Sequence, residues 1–139
     1  MMTAITPYLL YEDPAAALDL LGQAFGFEEV LRHGGPDGGV DHAEMRLGDA
    51  AIYLGGPGGD YRNPARLGAA TVLICLTVDD VDAACEQARA AGIEISEEPA
   101  DQAYGERRFA ARDPEGHVWF VAQPIGDVAP ESWGATQPD

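Results

Sequence analysis

The sequence contains no lysine, since all eight of its basic residues are arginine. Schiff-base chemistry on a lysine is therefore excluded, and so is a P-loop, whose lysine must reach the nucleotide phosphates. The basic residues are outnumbered by 24 acidic ones, which gives a formal net charge of −16. Nucleic acids and anionic membranes both require a basic footprint, so neither is expected as a partner.

Cysteines and long apolar segments are also scarce. Cys75 lies in a strand pattern and Cys85 in a helix pattern, with no CxxC motif, so we expect two buried, reduced thiols. No apolar run reaches the roughly 18 residues of a membrane span, and no basic-then-apolar leader is present, which predicts a cytoplasmic protein. The length of 139 residues and the apolar content of 46% predict one globular domain over residues 1–139.

The same pattern occurs twice along the chain. Residues 5–30 and 72–95 each contain an apolar strand, an Asp that begins an Ala-rich amphipathic helix, a Gly that ends it, and another strand. The two helix-opening residues are Asp13 and Asp80, an offset of about 67 residues. Solenoid repeats are shorter, about 20–50 residues, so the pattern indicates two copies of a small module.

Two further strands follow each copy, which makes each module βαβββ. Strands are predicted at about 5–11, with alternating residues at 42–47, and again at 71–78. The sequence therefore predicts an α+β fold with a site between two modules. The predicted divisions are a first module at 4–58, a linker at 59–70, a second module at 71–124 and an irregular tail at 125–139.

Two segments carry a family resemblance. HAEMRLGDAAIYL at 42–54 and YGERRFAARDPEGHVWFVAQP at 104–124, together with the paired modules, resemble the vicinal oxygen chelate superfamily. This superfamily holds glyoxalase I, fosfomycin-resistance proteins, extradiol dioxygenases and bleomycin-binding resistance proteins. The resemblance covers residues 4–124 and is strongest to the glyoxalase-like or bleomycin-resistance-like subgroup. It implies half-barrel mixed sheets around a ligand cavity, usually in a homodimer.

The resemblance also identifies where metal ligands would lie. In metal-dependent members a His commonly lies seven residues before each helix-opening Asp, which gives Thr6 and Leu73 here. A Glu normally lies seven residues after the Asp of DPxG, which is the position of Phe120, and a fourth ligand falls at Tyr53. A divalent cation prefers imidazole or carboxylate, so we expect a metal-free member without a cofactor or an assigned catalytic residue.

Strand parity orients the other side chains if these ligand positions face the cavity. The residues beneath the helices would then be Ile5, Leu9, Met45, Ile74, Leu76, Phe109 and Trp119. Glu44 would meet a cationic group of the ligand or pair with a neighbouring arginine. The predicted ligand-binding residues are Thr6, Tyr8, Glu44, Arg46, Tyr53, Leu73, Cys75, Arg108, Val118 and Phe120.

Three functions stay open at this point. An aromatic cleft favours a binding protein that sequesters a small aromatic or cationic molecule, such as an antibiotic. The alternative is a glyoxalase-like lyase or isomerase, with Glu44 or Tyr53 as proton carrier or with a non-standard metal site that includes His42. The third is a dimeric structural or regulatory module whose cavity is vestigial.

Overall fold

A computed structural model describes residues 2–35 and 37–139, and its strands form two four-stranded sheets that follow the sequence repeat. The first sheet has the order β1-β4-β3-β2 and consists of β1 (Tyr8–Leu10), β2 (Glu28–Gly34), β3 (Val40–Leu47) and β4 (Ala50–Gly55). The second has the order β5-β8-β7-β6 and consists of β5 (Leu73–Thr77), β6 (Glu94–Gln102), β7 (Glu106–Arg112) and β8 (Val118–Pro124). In each sheet the first and last strands in sequence pair in parallel and the other pairs are antiparallel. The predicted α+β fold with half-open mixed sheets is confirmed.

The helices are α1 (Pro14–Phe25), the short α2 (Pro64–Leu67) and α3 (Val81–Ala90). Asp13 and Asp80 begin the long helices as predicted, because each side chain accepts a hydrogen bond from the third backbone N–H of its helix. A 3-10 helix over residues 130–133 lies in the tail. In the part of the chain that the structure describes, no helix is long and apolar enough to cross a membrane.

Some local predictions were wrong. Strand β1 begins at Tyr8 instead of residue 5, because Pro7 has no N–H to contribute to the ladder. Ile5 therefore precedes the paired region and is 92% exposed, where we expected it beneath the helices. Cys85 is buried and unpaired as predicted, whereas Cys75 is exposed on the outer face of β5.

One hydrophobic core joins the two modules. Helix α1 packs against α3, and Phe25 at the end of α1 reaches Trp119 of the second sheet, with ring centroids 4.8 Å apart. The other residues predicted to lie beneath the helices are confirmed there, with Ile74 packed at the margin: Leu9, Met45, Leu76, Phe109 and Trp119.

A buried carboxylate organises the turn between β7 and β8. Asp113 is only 3% exposed and accepts hydrogen bonds at both oxygens. The Tyr11 hydroxyl donates to Oδ2 at 2.6 Å, and the Trp119 indole donates to the same oxygen at 3.3 Å. The backbone N–H groups of Glu115 and His117 donate to Oδ1 at 3.1 and 3.0 Å. Four donors therefore compensate the loss of water around this carboxylate.

The same turn connects both modules and the segment between them. His117 donates from Nε2 to the backbone oxygen of Leu10, at 2.7 Å. The carboxylate of Glu115 accepts from the backbone at residues 12–13, where α1 begins. It also accepts from Nδ2 of the buried Asn63, at 2.8 Å, and Asn63 in turn caps α2. The DPEGH segment thus has a structural role, which is to hold β1, α1 and α2 against the second sheet.

Tyr11→Phe should lower the free energy of unfolding by about 1–3 kcal/mol, because one oxygen of a buried carboxylate loses its closest donor. Burial, and next the charge of Asp113, raise the pKa of Tyr11 well above its ordinary value. The stabilisation by Tyr11 is therefore complete below about pH 10, where an unfolded tyrosine keeps its proton, and declines above that pH. Denaturant titrations at several pH values should show the difference between wild type and Tyr11→Phe narrowing above about pH 10.

The matched control is Tyr61→Phe, which removes the hydroxyl of an exposed tyrosine and should leave stability unchanged. A difference between wild type and Tyr11→Phe that stays constant through the alkaline range would contradict the assignment.

Candidate functional site

The predicted site residues lie on the sheet faces that point away from the helices. Most of their neighbours along each strand are buried or partly buried in the core, so alternation places the site residues on the opposite face. We define the first face as Tyr8, His42, Glu44 and Tyr53. We define the second face as Leu73, Cys75, Arg108, Val118 and Phe120.

Two predicted site residues lie at the margin of the first face. Thr6 precedes β1 and therefore belongs to no strand of the sheet, and its side chain is half-buried. Arg46 lies near the end of β3, opposite Ala51, and is exposed. The suggested pairing of Glu44 with Arg46 or Arg108 was wrong, because the described partner of Glu44 is His42.

A chain of hydrogen bonds runs across the first face. The Tyr8 hydroxyl lies 2.7 Å from His42 Nδ1, and His42 Nε2 lies 2.9 Å from Glu44 Oε2. The ring of Tyr53 packs edge-on against both neighbouring rings, with centroids 5.8 Å from Tyr8 and 5.5 Å from His42. Sequence reasoning considered His42 only as part of a non-standard metal site and did not predict its bonds to Tyr8 and Glu44, although its two-residue spacing from Glu44 on one strand places both on the same face.

The partners of His42 determine which ring nitrogen carries the proton. An ionised carboxylate only accepts hydrogen bonds, so the bond to Glu44 requires a proton on Nε2. In the neutral ring Nδ1 is then the acceptor, and the Tyr8 hydroxyl is its donor. The direction of donation therefore runs from Tyr8 to His42 to Glu44.

The absence of a side chain at Gly55 provides room for the Tyr8 ring in this chain of hydrogen bonds. Gly55 lies opposite His42 on the neighbouring strand β4. A Cβ atom at this position would lie 2.7 Å from Tyr8 Cε1 and 2.8 Å from the Tyr8 hydroxyl oxygen. Real Cβ atoms do not approach other atoms so closely, so the absence of a side chain allows the Tyr8 ring to reach His42.

The second face carries a cation above an aromatic ring. The Cζ atom of Arg108 lies 4.3 Å from the centroid of the Phe120 ring, within the range of a cation–π interaction. Arg108 also donates to the Tyr104 hydroxyl at 2.9 Å and lies 3.5 Å from a carboxylate oxygen of Glu97. Tyr104 packs against Trp133 of the tail, at 5.6 Å between centroids. Neither Tyr104 nor Glu97 was predicted to take part in the site.

The polar residue of each face occupies an equivalent position in the repeat. His42 lies opposite Gly55, and Arg108 lies opposite Ala122, on the corresponding strand pairs. The rings that they contact are equivalent too, since Tyr53 pairs with Tyr8 and Phe120 with Cys75 across parallel strands. At this repeated position each module therefore presents a polar side chain beside an aromatic ring.

The polar and aromatic side chains of the two faces are not bonded to each other in the part of the chain that the structure describes. Over residues 2–35 and 37–139, no hydrogen bond, ion pair or ring contact joins a side chain of the first face to one of the second. Both faces are open, because Tyr8 is 50% exposed and Leu73 is 48% exposed. Single-chain packing thus buries the helical sides and leaves both faces accessible.

The family positions for metal ligands hold a poor donor set. Thr6 and Tyr53 offer neutral hydroxyl groups, while Leu73 and Phe120 offer no donor atom. Within the described ranges, no group of three or more His, Cys, Asp or Glu side chains is placed to hold a metal ion. The residues present at this locus do not fit a divalent cation.

The fold and the two faces define a class of protein. Its members are built from paired βαβββ modules, and each of the two unclosed sheets presents a polar group beside an aromatic ring. Residues 4–121 match the model of the Glyoxalase/Bleomycin resistance protein/Dioxygenase superfamily. The chain belongs to this superfamily, which confirms the resemblance seen in the sequence. The superfamily includes both enzymes and binding proteins without enzymatic activity.

Individual relatives agree with this assignment. The uncharacterized protein Mb0911c of Mycobacterium bovis is 37% identical over 130 residues, which is 90% of this chain and 86% of that protein. The crystal structure of TioX from Micromonospora sp. ML1 has a TM-score of 0.70 and 31% identity, covering 91% of this chain and 98% of TioX. TnmS3, an antibiotic binding protein from Streptomyces sp. CB03234, has a TM-score of 0.67 and 22% identity, covering 89% and 98% of the chains. At this identity, the likeness to TnmS3 shows the fold alone.

Gly55→Ala should separate Tyr8 from His42 without changing either residue, because the added methyl group would lie only 2.7 Å from Cε1 of the Tyr8 ring, which must then move. The check is the nitrogen chemical shifts of His42 in NMR spectra of the wild type at neutral pH. We expect a protonated Nε2 and an Nδ1 that accepts a hydrogen bond, with the Nδ1 shift changing in Gly55→Ala and the Nε2 shift retained. A proton on Nδ1 in the neutral wild-type ring would contradict this arrangement.

Proposed function

We propose that this protein binds a small organic molecule that carries an aromatic ring, without a metal ion, between a first face and a second face. The observation that carries this proposal is the pair of equivalent, half-buried positions where a polar side chain lies beside a ring, His42 with Tyr53 and Arg108 with Phe120. Such a combination of aromatic surface with a few fixed polar groups is typical of sites for organic ligands.

The rings and apolar residues of the faces supply the contact area. Tyr8 and Leu73 are about half exposed, so a ligand placed on them removes apolar surface from water. Burying one aromatic ring contributes on the order of 2 kcal/mol. The proposed ligand-contacting residues are those expected from the sequence: Thr6, Tyr8, Glu44, Arg46, Tyr53, Leu73, Cys75, Arg108, Val118 and Phe120.

The charge of the protein favours a ligand with a cationic group. The net charge of −16 attracts cations at long range. On the first face His42 bonds to Oε2 of Glu44, so a cationic group of the ligand would approach Oε1. Arg108 on the second face already has Glu97 and Tyr104 as partners, so it favours a neutral aromatic group lying against Phe120.

A second copy of the chain would close the site. Over residues 2–35 and 37–139 no hydrogen bond, ion pair or ring contact joins the two faces, so a homodimer can place the first face of one copy against the second face of the other. This arrangement would also cover the exposed apolar side chains of the strand β5 region, including Val72 and Leu73. Symmetric dimers are the most common soluble assemblies.

The relatives give independent support. TnmS3 is an antibiotic binding protein with the same fold, and TioX shares 31% identity over nearly its whole length. The donor set at Thr6, Tyr53, Leu73 and Phe120 supports binding without the metal that other superfamily members use.

A calorimetric screen of chelator-treated protein tests the binding. Glycopeptide, quinoxaline, mitomycin and aminoglycoside-type compounds should include at least one that binds more tightly than about millimolar. Phe120→Ala should weaken that binding by roughly tenfold through lost stacking, whereas Glu44→Gln should weaken only cationic compounds and reduce the salt dependence. Leu67→Ala and Glu29→Gln, two exposed changes outside the faces, are the matched controls. Binding that requires added nickel or zinc, or no binding at all, would contradict the proposal.

Mixing Glu44→Gln with Phe120→Ala, each of which should bind a cationic compound more weakly than the wild type, tests whether the site spans two copies. If each site combines faces from both chains, a mixed dimer of Glu44→Gln and Phe120→Ala contains one intact site and one doubly altered site. Since half of the dimers in an equilibrated mixture are mixed, about a quarter of the wild-type sites should return. A monomer in light scattering, or no recovery after mixing, would contradict the shared site.

A further inference from the structure

We propose that Tyr8, His42 and Glu44 form a nucleophile–base–carboxylate triad that reacts with activated carboxylic esters at the Tyr8 hydroxyl oxygen. This activity goes beyond reversible binding, because it transfers an acyl group to the protein. The triad lies entirely on the first face, so it requires neither the second face nor a partner copy.

The distances match the requirement for an activated nucleophile. Such a group lies about 2.6–3.2 Å from a base, and a third group orients the base. The Tyr8–His42 and His42–Glu44 distances, 2.7 and 2.9 Å, both fall in this range. Glu44 fixes the proton on Nε2 and thereby presents the lone pair of Nδ1 to the Tyr8 hydroxyl.

The packing of the first face holds the triad in place. The ring of Tyr53 contacts both the Tyr8 and His42 rings edge-on, and Gly55 provides the space for the Tyr8 ring. Three side chains from β1 and β3 are thereby kept in line by residues of the strand between them, β4.

The acyl group of the ester is transferred to the Tyr8 oxygen in two events. The Tyr8 oxygen forms a bond to the ester carbonyl carbon while its O–H bond breaks and the proton moves to His42 Nδ1. The bond from the carbonyl carbon to the leaving oxygen then breaks, and the alcohol part of the ester departs with that electron pair. The proton on His42 passes to the leaving group or to water, which regenerates the neutral ring. Glu44 stabilises the imidazolium that exists between these events.

Tyr8 lines a cavity together with a second tyrosine, Tyr61, which supplies an internal comparison. Tyr8, Leu10, Gly56 and Tyr61 line a cavity of about 450 Å³. Tyr61 is 70% exposed, more than Tyr8, and no described residue forms a hydrogen bond to its hydroxyl. Exposure alone would make Tyr61 the more reactive tyrosine, whereas the triad makes Tyr8 the more reactive one.

The groups that face His42 from the surrounding strands determine how the reaction depends on pH. They are Tyr8 from β1, Tyr53 from β4, Glu44 from β3 itself, and His33 from β2, which lies opposite His42. His33 bonds through Nδ1 to Asp41, at 2.7 Å. Since His33 is the other imidazole beside the triad, His33→Gln is the matched control for His42→Gln.

Acetylation by p-nitrophenyl acetate is the test. At neutral pH we expect release of nitrophenolate together with acetylation of Tyr8, located by peptide mass spectrometry, at least about tenfold faster than acetylation of Tyr61. The rate at Tyr8 should fall as the pH is lowered, because a protonated imidazole cannot accept the proton of the Tyr8 hydroxyl. Acetylation that follows exposure, with Tyr61 equal to or faster than Tyr8, would overturn the proposal.

Three variants separate a chemical role from a structural one. His42→Gln retains an acceptor for the Tyr8 hydroxyl but cannot take its proton, so acetylation of Tyr8 should fall at least about tenfold and lose its pH dependence. Gly55→Ala should lower the rate of Tyr8 acetylation to a similar extent, although all three triad residues are present. In His33→Gln, Tyr8 should be acetylated at the wild-type rate and with the wild-type pH profile. A wild-type rate at Tyr8 in folded His42→Gln, or in folded Gly55→Ala, would overturn the proposal. These rates are measured without any bound ligand, so they are independent of the binding screen.

Discussion

The buried carboxylate of Asp113 is bonded by four donors from three parts of the chain, and the positions of both faces depend on it. Because its partners include Tyr11 from the first module and Trp119 from the second, it fixes the start of β8 relative to β1. The neighbouring Glu115 and His117 then hold the start of α1 and the end of β1. A charge this deeply buried is stable only while its donors are in place. Since the donors come from both modules, the bonds to Asp113 favour this one arrangement of the modules over others.

The two faces have functional side chains at equivalent positions of the repeat, but these side chains differ in chemistry. At equivalent positions the first face has His42, which is bonded between Tyr8 and Glu44, and the second face has Arg108, which is permanently charged. A site that combined them would offer a proton acceptor on one side and a cation already shared with an aromatic ring on the other. This difference suits a ligand with unlike ends and explains how one repeated module can build an asymmetric site.

The fold could be predicted from the sequence because apolar and polar residues alternate along each strand, and this alternation reflects the burial of one side of the strand. Leu9, Met45 and Trp119 are inward since each strand must bury one side, and Asp13 and Asp80 cap helices through local bonds. The contact between Tyr8 and His42 joins residues far apart in sequence and depends on the missing side chain of Gly55, so no local pattern contains it. Ile5 was misplaced because strand pairing begins only after Pro7.

The most direct test is a crystal structure of the protein bound to a compound that calorimetry identifies as a ligand. The account predicts a dimer in which the compound's ring lies against Phe120 of one copy and its polar end approaches Glu44 of the other. It also predicts that no metal ion lies beside Thr6, Tyr53, Leu73 or Phe120. A compound bound elsewhere, or coordinated to a metal at those four residues, would contradict the account.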